Sequence, residues 1–204
     1  MNSIDNKILS RIYGRGKGFS FSSFDFINEF SINNIDKSLS TLTKDKKIRR
    51  ISRGLYDYPK YSKFLDKELS PDIEQVALAI ARKFNWRIEI SGESALYILG
   101  LSTQIQGKYL YLSDGTNKKF TLLDNISLEF KKSSLKNIGF KYKESSLIVQ
   151  ALKSLGKNHI DDTIIEKIQK QIDSKMYGKI LKDTQTSTVW IYEIIKKICK
   201  EDLI

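Results

Sequence analysis

The chain has 204 residues, 40% of them hydrophobic, so it is long enough to bury a real core and to form two domains. A single cysteine and a single histidine exclude an internal disulfide and leave too few side chains for most zinc sites and for Ser-His or Cys-His catalysis. No run of about 18 uncharged apolar residues occurs, so we expect a cytoplasmic protein with no membrane contact. We also expect no metal, no other cofactor and no catalytic site.

The positive charge is concentrated near the start of the sequence. The formal net charge is +11; residues 1–63 hold 13 Lys and Arg against 6 Asp and Glu, whereas residues 64–204 hold 22 against 18. Clustered cations gain free energy by releasing counterions from phosphates, so a basic segment beside a nearly balanced one predicts a polyanion-binding N-terminal domain. Lysine that only keeps the surface soluble is the alternative.

Three helices are predicted before residue 45. Apolar residues at helical spacing predict the first over 3–13, and a glycine-rich run ends it. A Ser-x-x-Asp box that begins at Ser22 predicts a short second helix over 24–30. Asn33 or Asn34 is predicted to cap the third helix. The core-facing stripe of that helix is Ile35, Leu39 and Leu42.

The opposite face of the third helix is polar and basic. On a helical wheel it gathers Asn33, Lys37, Ser40, Thr41 and Lys44. Such a row of hydrogen-bond donors, acceptors and cations suits base edges and phosphates, so we predict that this face contacts DNA.

A basic hairpin follows the third helix. Strands are predicted over 47–51 and 55–58, joined by a three-residue loop with Gly54 where a positive φ is needed. The alternation places Ile48 on the same face as Arg50, so the first strand is expected to be either bulged or only loosely packed. The predicted DNA contacts of the hairpin are Lys47, Arg49, Arg50 and Arg53.

The order helix, short strand, helix, helix, basic hairpin is that of a winged helix-turn-helix, in which the third helix enters the major groove and the wing lies along the backbone. We therefore predict an α+β protein with a winged helix-turn-helix domain over 1–63, which folds alone and carries most of the DNA affinity. A linker over 60–70 leads to a larger α+β domain over 70–204 with a helical C-terminal region. Winged helices also dock proteins, so a protein-docking adaptor is an alternative.

The second domain offers one catalytic alternative. Its predicted strands cover 86–90, 108–112, 119–123 and 126–131. Asp114, Glu129 and Lys131 imitate the acid-acid-lysine layout of some metal-dependent nucleases. A solvated strand face and an Asp-Gly turn explain the same residues without chemistry, and we expect no enzyme activity.

Four segments together resemble the AbiEi-like antitoxins of bacterial type IV toxin-antitoxin systems: "KIRRISRGLYDYP", "WRIEISGESALYILGLSTQ", "KYLYLSDG" with "ISLEFKKSS", and "SLIVQALKSLGK". The resemblance extends over nearly the whole chain. It implies a winged helix that binds double-stranded DNA at its own promoter and represses transcription. It also implies a second domain that counters a nucleotidyltransferase-like toxin without necessarily binding it. A homodimer or cooperative binding on DNA is left open by the sequence.

Overall fold

The computed structural model describes residues 3–103, 109–133 and 138–200. It shows a mixed α+β protein whose chain divides into two compact units. Unit 1 comprises Met1–Trp86 and Lys118–Glu129, and unit 2 comprises Arg87–Asn117 and Phe130–Ile204. Within the described ranges, no helix has the length and apolar character needed to cross a membrane.

The regular elements follow one another with short connections. Up to residue 86 they are α1 (Ile4–Arg15), β1 (Ser20–Phe21), the 3-10 helix Ser23–Phe26, α2 (Ile32–Lys44), β2 (Arg49–Ser52), β3 (Leu55–Asp57), β4 (Tyr61–Ser62), β5 (Lys67–Glu68) and α3 (Ile73–Phe84). After residue 86 they are β6 (Ile88–Ile90), α4 (Gly92–Ile98), β7 (Tyr109–Ser113), β8 (Lys118–Thr121), the 3-10 helix Leu123–Asn125, β9 (Ser127–Lys132), α5 (Lys143–Leu155), the 3-10 helix Lys157–His159, α6 (Asp162–Gln171), the 3-10 helix Ser174–Met176, α7 (Tyr177–Thr184) and α8 (Val189–Ile198).

The first and third predicted helices are confirmed as α1 and α2, whereas the second is wrong in type and length. Only the 3-10 helix Ser23–Phe26 forms there, closed by a 2.8 Å hydrogen bond from the Ser22 amide to Asp25. Phe26 is buried, but Phe24 and Ile27 are exposed. The segment therefore has too little apolar contact to hold a longer helix.

The start of α2 also differs from the prediction. The helix begins at Ile32 after Ser31, so Asn33 and Asn34 lie in its first turn and neither is the N-cap. The predicted core stripe of α2 is confirmed, since Ile35, Leu39 and Leu42 are all buried. They pack with Ile8 and Ile12 of α1 and with Phe21 and Phe26 in one apolar cluster.

A three-stranded antiparallel sheet of order β1-β3-β2 covers this cluster. The register shifts between Arg50 and Ser52, which confirms that the strand is bulged. The bulge lets both Ile48 and Ile51 be buried, although strict alternation would expose one of them. Ser52 pairs with Leu55, so the loop is one residue shorter than predicted, and Gly54 has the expected positive φ of 70°.

Unit 1 contains more of the chain than the predicted domain 1–63. Helix α3 packs against β1, β3 and the 3-10 helix Ser23–Phe26. Arg82 of α3 donates to the Ser20 carbonyl at 2.8 Å and to the Asp25 carboxylate at 2.6 Å. The predicted boundary at 70 therefore does not coincide with the division between the units. The predicted linker itself forms the antiparallel hairpin β4–β5.

Unit 2 has a helical core. The longest run of buried residues lies in α5, from Ser145 to Leu152, and it contacts α4, α7 and α8. A Cβ at Gly92 would lie 2.6 Å from Ser154 Cβ and 2.9 Å from the Gln150 carbonyl, so glycine permits the close approach of α4 to α5. The stripe Ile191, Ile195 and Ile198 of α8 is fully buried in the same core.

The predicted strands after residue 86 are found with small shifts. The sheet that they form has the order β6-β7-β9-β8, and β6 pairs antiparallel with β7. The strand predicted over 108–112 is β7, and Lys108 lies outside the described residues. The division between the units falls within the residues of β9, since Glu129 belongs to unit 1 and Phe130 to unit 2.

Candidate nucleic-acid interface

The orientation of α2 is fixed by its buried side. Besides its apolar stripe, α2 contributes Ser38, which is buried and whose hydroxyl donates to the Asp5 carboxylate of α1. The Thr43 hydroxyl donates a hydrogen bond to the Leu39 carbonyl of the same helix, at 2.7 Å. The buried apolar stripe and the hydrogen bond from Ser38 together fix the rotation of α2 about its axis. The opposite face of α2 is therefore exposed to solvent.

The solvent-exposed face of α2 carries the side chains that are predicted from the sequence to contact DNA. All five are exposed: Asn33, Lys37, Ser40, Thr41 and Lys44. The Thr41 hydroxyl donates a hydrogen bond within the helix, to the Lys37 carbonyl at 3.1 Å. Asp36 is exposed at the edge of the same face. Within the part of the chain that the structure describes, neither Lys37 nor Lys44 has an acidic side chain within 4.0 Å.

The hairpin β2–β3 continues the basic surface beyond α2. Lys47, Arg50 and Arg53 are exposed, as predicted, and Lys46 in the connection is exposed as well. The predicted contacts omit Lys46, which lies between the predicted helix and the predicted strand, next to Lys47. Among the described residues, none of these four cations forms a salt bridge. The Nε of Arg50 donates to the Ser52 carbonyl at 3.4 Å.

Arg49 occupies a different position from the other predicted contacts. Its Nε and Nη2 donate to the two carboxylate oxygens of Asp57 at 3.1 and 2.7 Å, and Nη1 donates to the Leu69 carbonyl at 2.9 Å. The side chain of Arg49 is 17% exposed and that of Asp57 is 1% exposed. Glu68 of β5 lies 3.5 Å from the same guanidinium. Arg49 therefore joins the two hairpins and is not available as a DNA contact.

The electrostatics of this pair follow from its burial. Burial alone lowers the pKa of Arg49, but the hydrogen bond and the charge of Asp57 outweigh it, so the pKa lies above its ordinary value. Burial raises the pKa of Asp57, and the guanidinium of Arg49 opposes that rise. The planar guanidinium matches the carboxylate with two parallel hydrogen bonds, which is the geometry that holds such pairs most firmly.

Two of the three residues of the nuclease alternative have other polar partners. Asp114 follows β7 in unit 2, and its carboxylate accepts a hydrogen bond from the Arg87 amide at 2.8 Å. Glu129 lies in unit 1, 3.4 Å from Lys119, and Lys131 is exposed. In the described ranges, no group of three or more His, Cys, Asp or Glu side chains is arranged to hold a metal ion.

Comparison with known proteins places the chain in a family. Residues 7–180 match the sequence profile of DUF6088, which is described as a family of unknown function. The chain belongs to this family. The DUF6088 match begins inside α1 and ends inside α7, so it includes the exposed face of α2 and both hairpins.

The DUF6088 chain is also similar to a solved structure. The crystal structure of the RV2827C protein from Mycobacterium tuberculosis is 9% identical, with a TM-score of 0.44, over 98% of this chain and 77% of that one. A similarity at this level carries no argument about the function of this DUF6088 member. None of the curated proteins matches the chain.

Proposed function

We propose that unit 1 contains a winged helix-turn-helix that binds double-stranded DNA, with α2 in the major groove and the hairpin β2–β3 as the wing. The observation that carries the proposal is the exposed face of α2. It presents small polar side chains and two lysines that have no acidic partner among the described residues, opposite a buried apolar stripe. A surface helix that needed only solubility would gain by pairing its cations with acidic side chains three or four residues away.

The side chains of α2 divide by chemistry into two groups. Asn33 and Ser40 offer both donors and acceptors, which suits the edges of bases in the major groove. Lys37 and Lys44 offer only positive charge and donors, which suits phosphates. Both groups share one helix face. We therefore assign sequence preference to Asn33 and Ser40, and assign general affinity to the lysines.

The hairpin supplies a second set of phosphate contacts. Lys46, Lys47, Arg50 and Arg53 are exposed along one connection, one strand and one turn. The tie between Arg49 and Asp57 fixes β2 against β3, so the exposed cations project from an ordered hairpin. Preorganised cations lose less side-chain freedom on binding, and this increases the affinity that each contact contributes.

The biological role that we propose is that of an antitoxin. It rests on the resemblance of the sequence to AbiEi-like antitoxins of type IV systems. In this role, the protein acts in the cytoplasm, represses its own promoter through unit 1 and counters a nucleotidyltransferase-like toxin through unit 2. No catalytic step is assigned to the chain. The nuclease alternative has no observation in its favour, because Asp114 and Glu129 are engaged elsewhere.

DNA binding is tested by titrating the full chain with a duplex of its own upstream region and with a scrambled duplex. The variant Lys37→Gln with Lys44→Gln should bind both duplexes more weakly, since it loses two phosphate contacts. The matched control is Lys167→Gln with Lys170→Gln, which removes two exposed lysines of α6. The control should bind as the unaltered chain does. Absence of duplex binding by the unaltered chain, even at low salt, would favour the protein-docking adaptor.

The antitoxin role is tested in cells that express the adjacent nucleotidyltransferase. Co-expression of the full chain should restore growth, and the empty vector should not. A reporter driven by the upstream promoter gives a separate readout of repression. Repression without any restoration of growth would contradict the antitoxin role while leaving DNA binding intact.

A further inference from the structure

The tip of the hairpin β2–β3 lies against two other segments of unit 1. The Ser52 hydroxyl donates to the Thr121 carbonyl at the end of β8, at 3.2 Å. A Cβ added at Gly54 would lie 3.3 Å from Nζ of Lys83, in the last turn of α3. The tip is therefore adjacent to the C-terminal end of α3 and to β8, which are far from it in the sequence.

Both neighbouring segments carry a lysine held on an aromatic surface. Nζ of Lys118, in β8, lies 3.7 Å from the centre of the Phe84 ring and 5.7 Å from that of Trp86. Nζ of Lys83 lies 5.6 Å from the same Phe84 ring. The rings of Phe84 and Trp86 stack with their centres 4.8 Å apart. Cation-π attraction therefore holds two ammonium groups on one aromatic pair.

These two lysines keep their charge uncompensated. Within the described residues, neither Lys83 nor Lys118 has an acidic side chain within 4.0 Å. Lys119, the next residue of β8, differs because it lies 3.4 Å from Glu129. The aromatic pair positions Lys83 and Lys118 without neutralising them, because a ring contributes no net charge. Their positive charge remains available to a polyanion.

We propose that Lys83 and Lys118 extend the DNA-binding surface past the tip of the wing, so that the duplex backbone is contacted by α3 and β8 as well. This inference rests on the proposed DNA binding. A duplex carries one negative charge for about every 1.7 Å of its axis, so a backbone that passes Arg53 brings further phosphates to the cations beside it. The ligand is the phosphate backbone of double-stranded DNA, and these two contacts are independent of base sequence.

The extended surface comes from two separated stretches of the chain. Lys83 precedes the whole excursion of the chain through β6, α4 and β7, and Lys118 follows it. A fragment of residues 1–63 lacks both lysines and also lacks Arg82, which bonds to Ser20 and Asp25. Such a fragment therefore loses part of the DNA surface together with part of the packing that supports it.

The test measures the affinity of the full chain for duplex DNA at several salt concentrations. In the variant Lys83→Gln with Lys118→Gln, the slope of log affinity against log salt should become shallower by about 1.8, since each lost phosphate contact removes about 0.9. The charge-preserving variant Lys83→Arg with Lys118→Arg should keep the original slope. The α6 control Lys167→Gln with Lys170→Gln should also keep it. Thermal unfolding of each variant confirms that it is folded.

The single variant Lys83→Gln provides a second measurement if the double variant unfolds. It leaves Lys118 on its rings, and its slope should become shallower by about 0.9. Unchanged slopes in the Lys83 and Lys118 variants, together with a shallower slope in Lys37→Gln with Lys44→Gln, would overturn the extension and leave DNA binding in place. Absence of duplex binding by the unaltered chain would instead overturn the proposed function itself.

Discussion

The two hairpins of unit 1 are neighbours in the chain but differ in whether their charged side chains have polar partners. In β2–β3, Arg50 and Arg53 are exposed and, among the described residues, have no acidic partner. In β4–β5, Tyr61 donates to Asp66, Glu68 lies near Arg49, and the tip presents Phe64, which is 95% exposed. In the first hairpin Arg50 and Arg53 have no acidic partner among the described residues, whereas both acidic residues of the second hairpin, Asp66 and Glu68, have a polar partner.

Basic residues that are adjacent in a sequence are not equally available to bind a ligand in the folded chain. Arg49 and Arg50 are adjacent in β2, yet Arg49 is held by Asp57 and Leu69 while Arg50 projects into solvent. Strand alternation sends neighbouring side chains to opposite faces. Asp57 stands opposite Arg49 in the register, so it binds the arginine on its own face. The cross-strand partner therefore decides which arginine is structural.

The largest expected effect separates these two arginines by stability. Arg49→Gln should lower the free energy of unfolding by about 3 kcal/mol, because it leaves the buried Asp57 carboxylate without its partner. Arg50→Gln should change it by less than about 0.5 kcal/mol, since an exposed side chain is replaced. Urea unfolding of both variants measures the difference. Equal effects of the two substitutions would contradict the division between them.

The second prediction concerns DNA and reverses the order of the two arginines. Arg50→Gln with Arg53→Gln should make the slope of log affinity against log salt shallower by about 1.8, equally on promoter and scrambled duplexes. Arg49→Gln should leave that slope unchanged at a temperature where the variant is folded. Anisotropy titrations over a range of salt concentrations provide the measurement. A shallower slope in Arg49→Gln would show that Arg49 also contacts DNA.

Local signals explain what could be predicted from the sequence. The spacing of Ile35, Leu39 and Leu42 depends only on the helical period, and Gly54 marks a turn by its own conformational freedom. The exposed face of α2 follows directly once the buried stripe is known. Helix α2 and the turn of the hairpin β2–β3 were therefore predictable, with errors only at the cap and in the length of the loop.

Long-range contacts explain what could not be predicted. Asp57 is 8 residues from Arg49 and Leu69 is 20, so the register of two hairpins had to be known before Arg49 could be removed from the DNA contacts. Arg82 and Asp25 are 57 residues apart, which hid the attachment of α3 to unit 1. The contact of β8 with the hairpin β2–β3 depends on the return of the chain to unit 1 at Lys118. No local period encodes these contacts.

A third prediction extends the comparison to Glu89, a carboxylate in unit 2 that is held by neutral donors. It accepts hydrogen bonds from the Gly139 amide at 3.1 Å and from the Ser146 hydroxyl. Burial raises the pKa of Glu89, these hydrogen bonds oppose the rise, and the charge of Asp183 adds to it. The folded state therefore binds the proton more tightly than the unfolded state does.

The sign of the pH dependence follows from that raised pKa. As pH falls from 7 through the raised pKa to the ordinary value of about 4.3, the unaltered chain should gain unfolding free energy relative to Glu89→Gln. Urea unfolding of both chains at pH 7, 6, 5 and 4 gives the difference. The exposed Glu166→Gln serves as the control. If the difference in unfolding free energy between the unaltered chain and Glu89→Gln stayed constant over this range, the pKa of Glu89 would not be raised in the folded chain.

The smallest expected effect is at the tip of the second hairpin. Phe64→Ser should change the free energy of unfolding by less than about 0.5 kcal/mol, because the side chain is 95% exposed and loses almost no packing. DNA affinity and its salt dependence should also remain unchanged. A loss of DNA affinity in this variant would show that both hairpins contact the duplex, and the contrast between them would fail.

The return of the chain at β8 has a consequence for synthesis. After the ribosome has added Trp86, it must add 43 further residues before Glu129 completes unit 1. At 5–20 residues per second this takes roughly 2 to 9 s. Until Thr121 has been added, a nascent chain carries α2 and the hairpin β2–β3 but not the complete β8. Translation rate therefore sets the delay between the appearance of the first cations and the completion of unit 1.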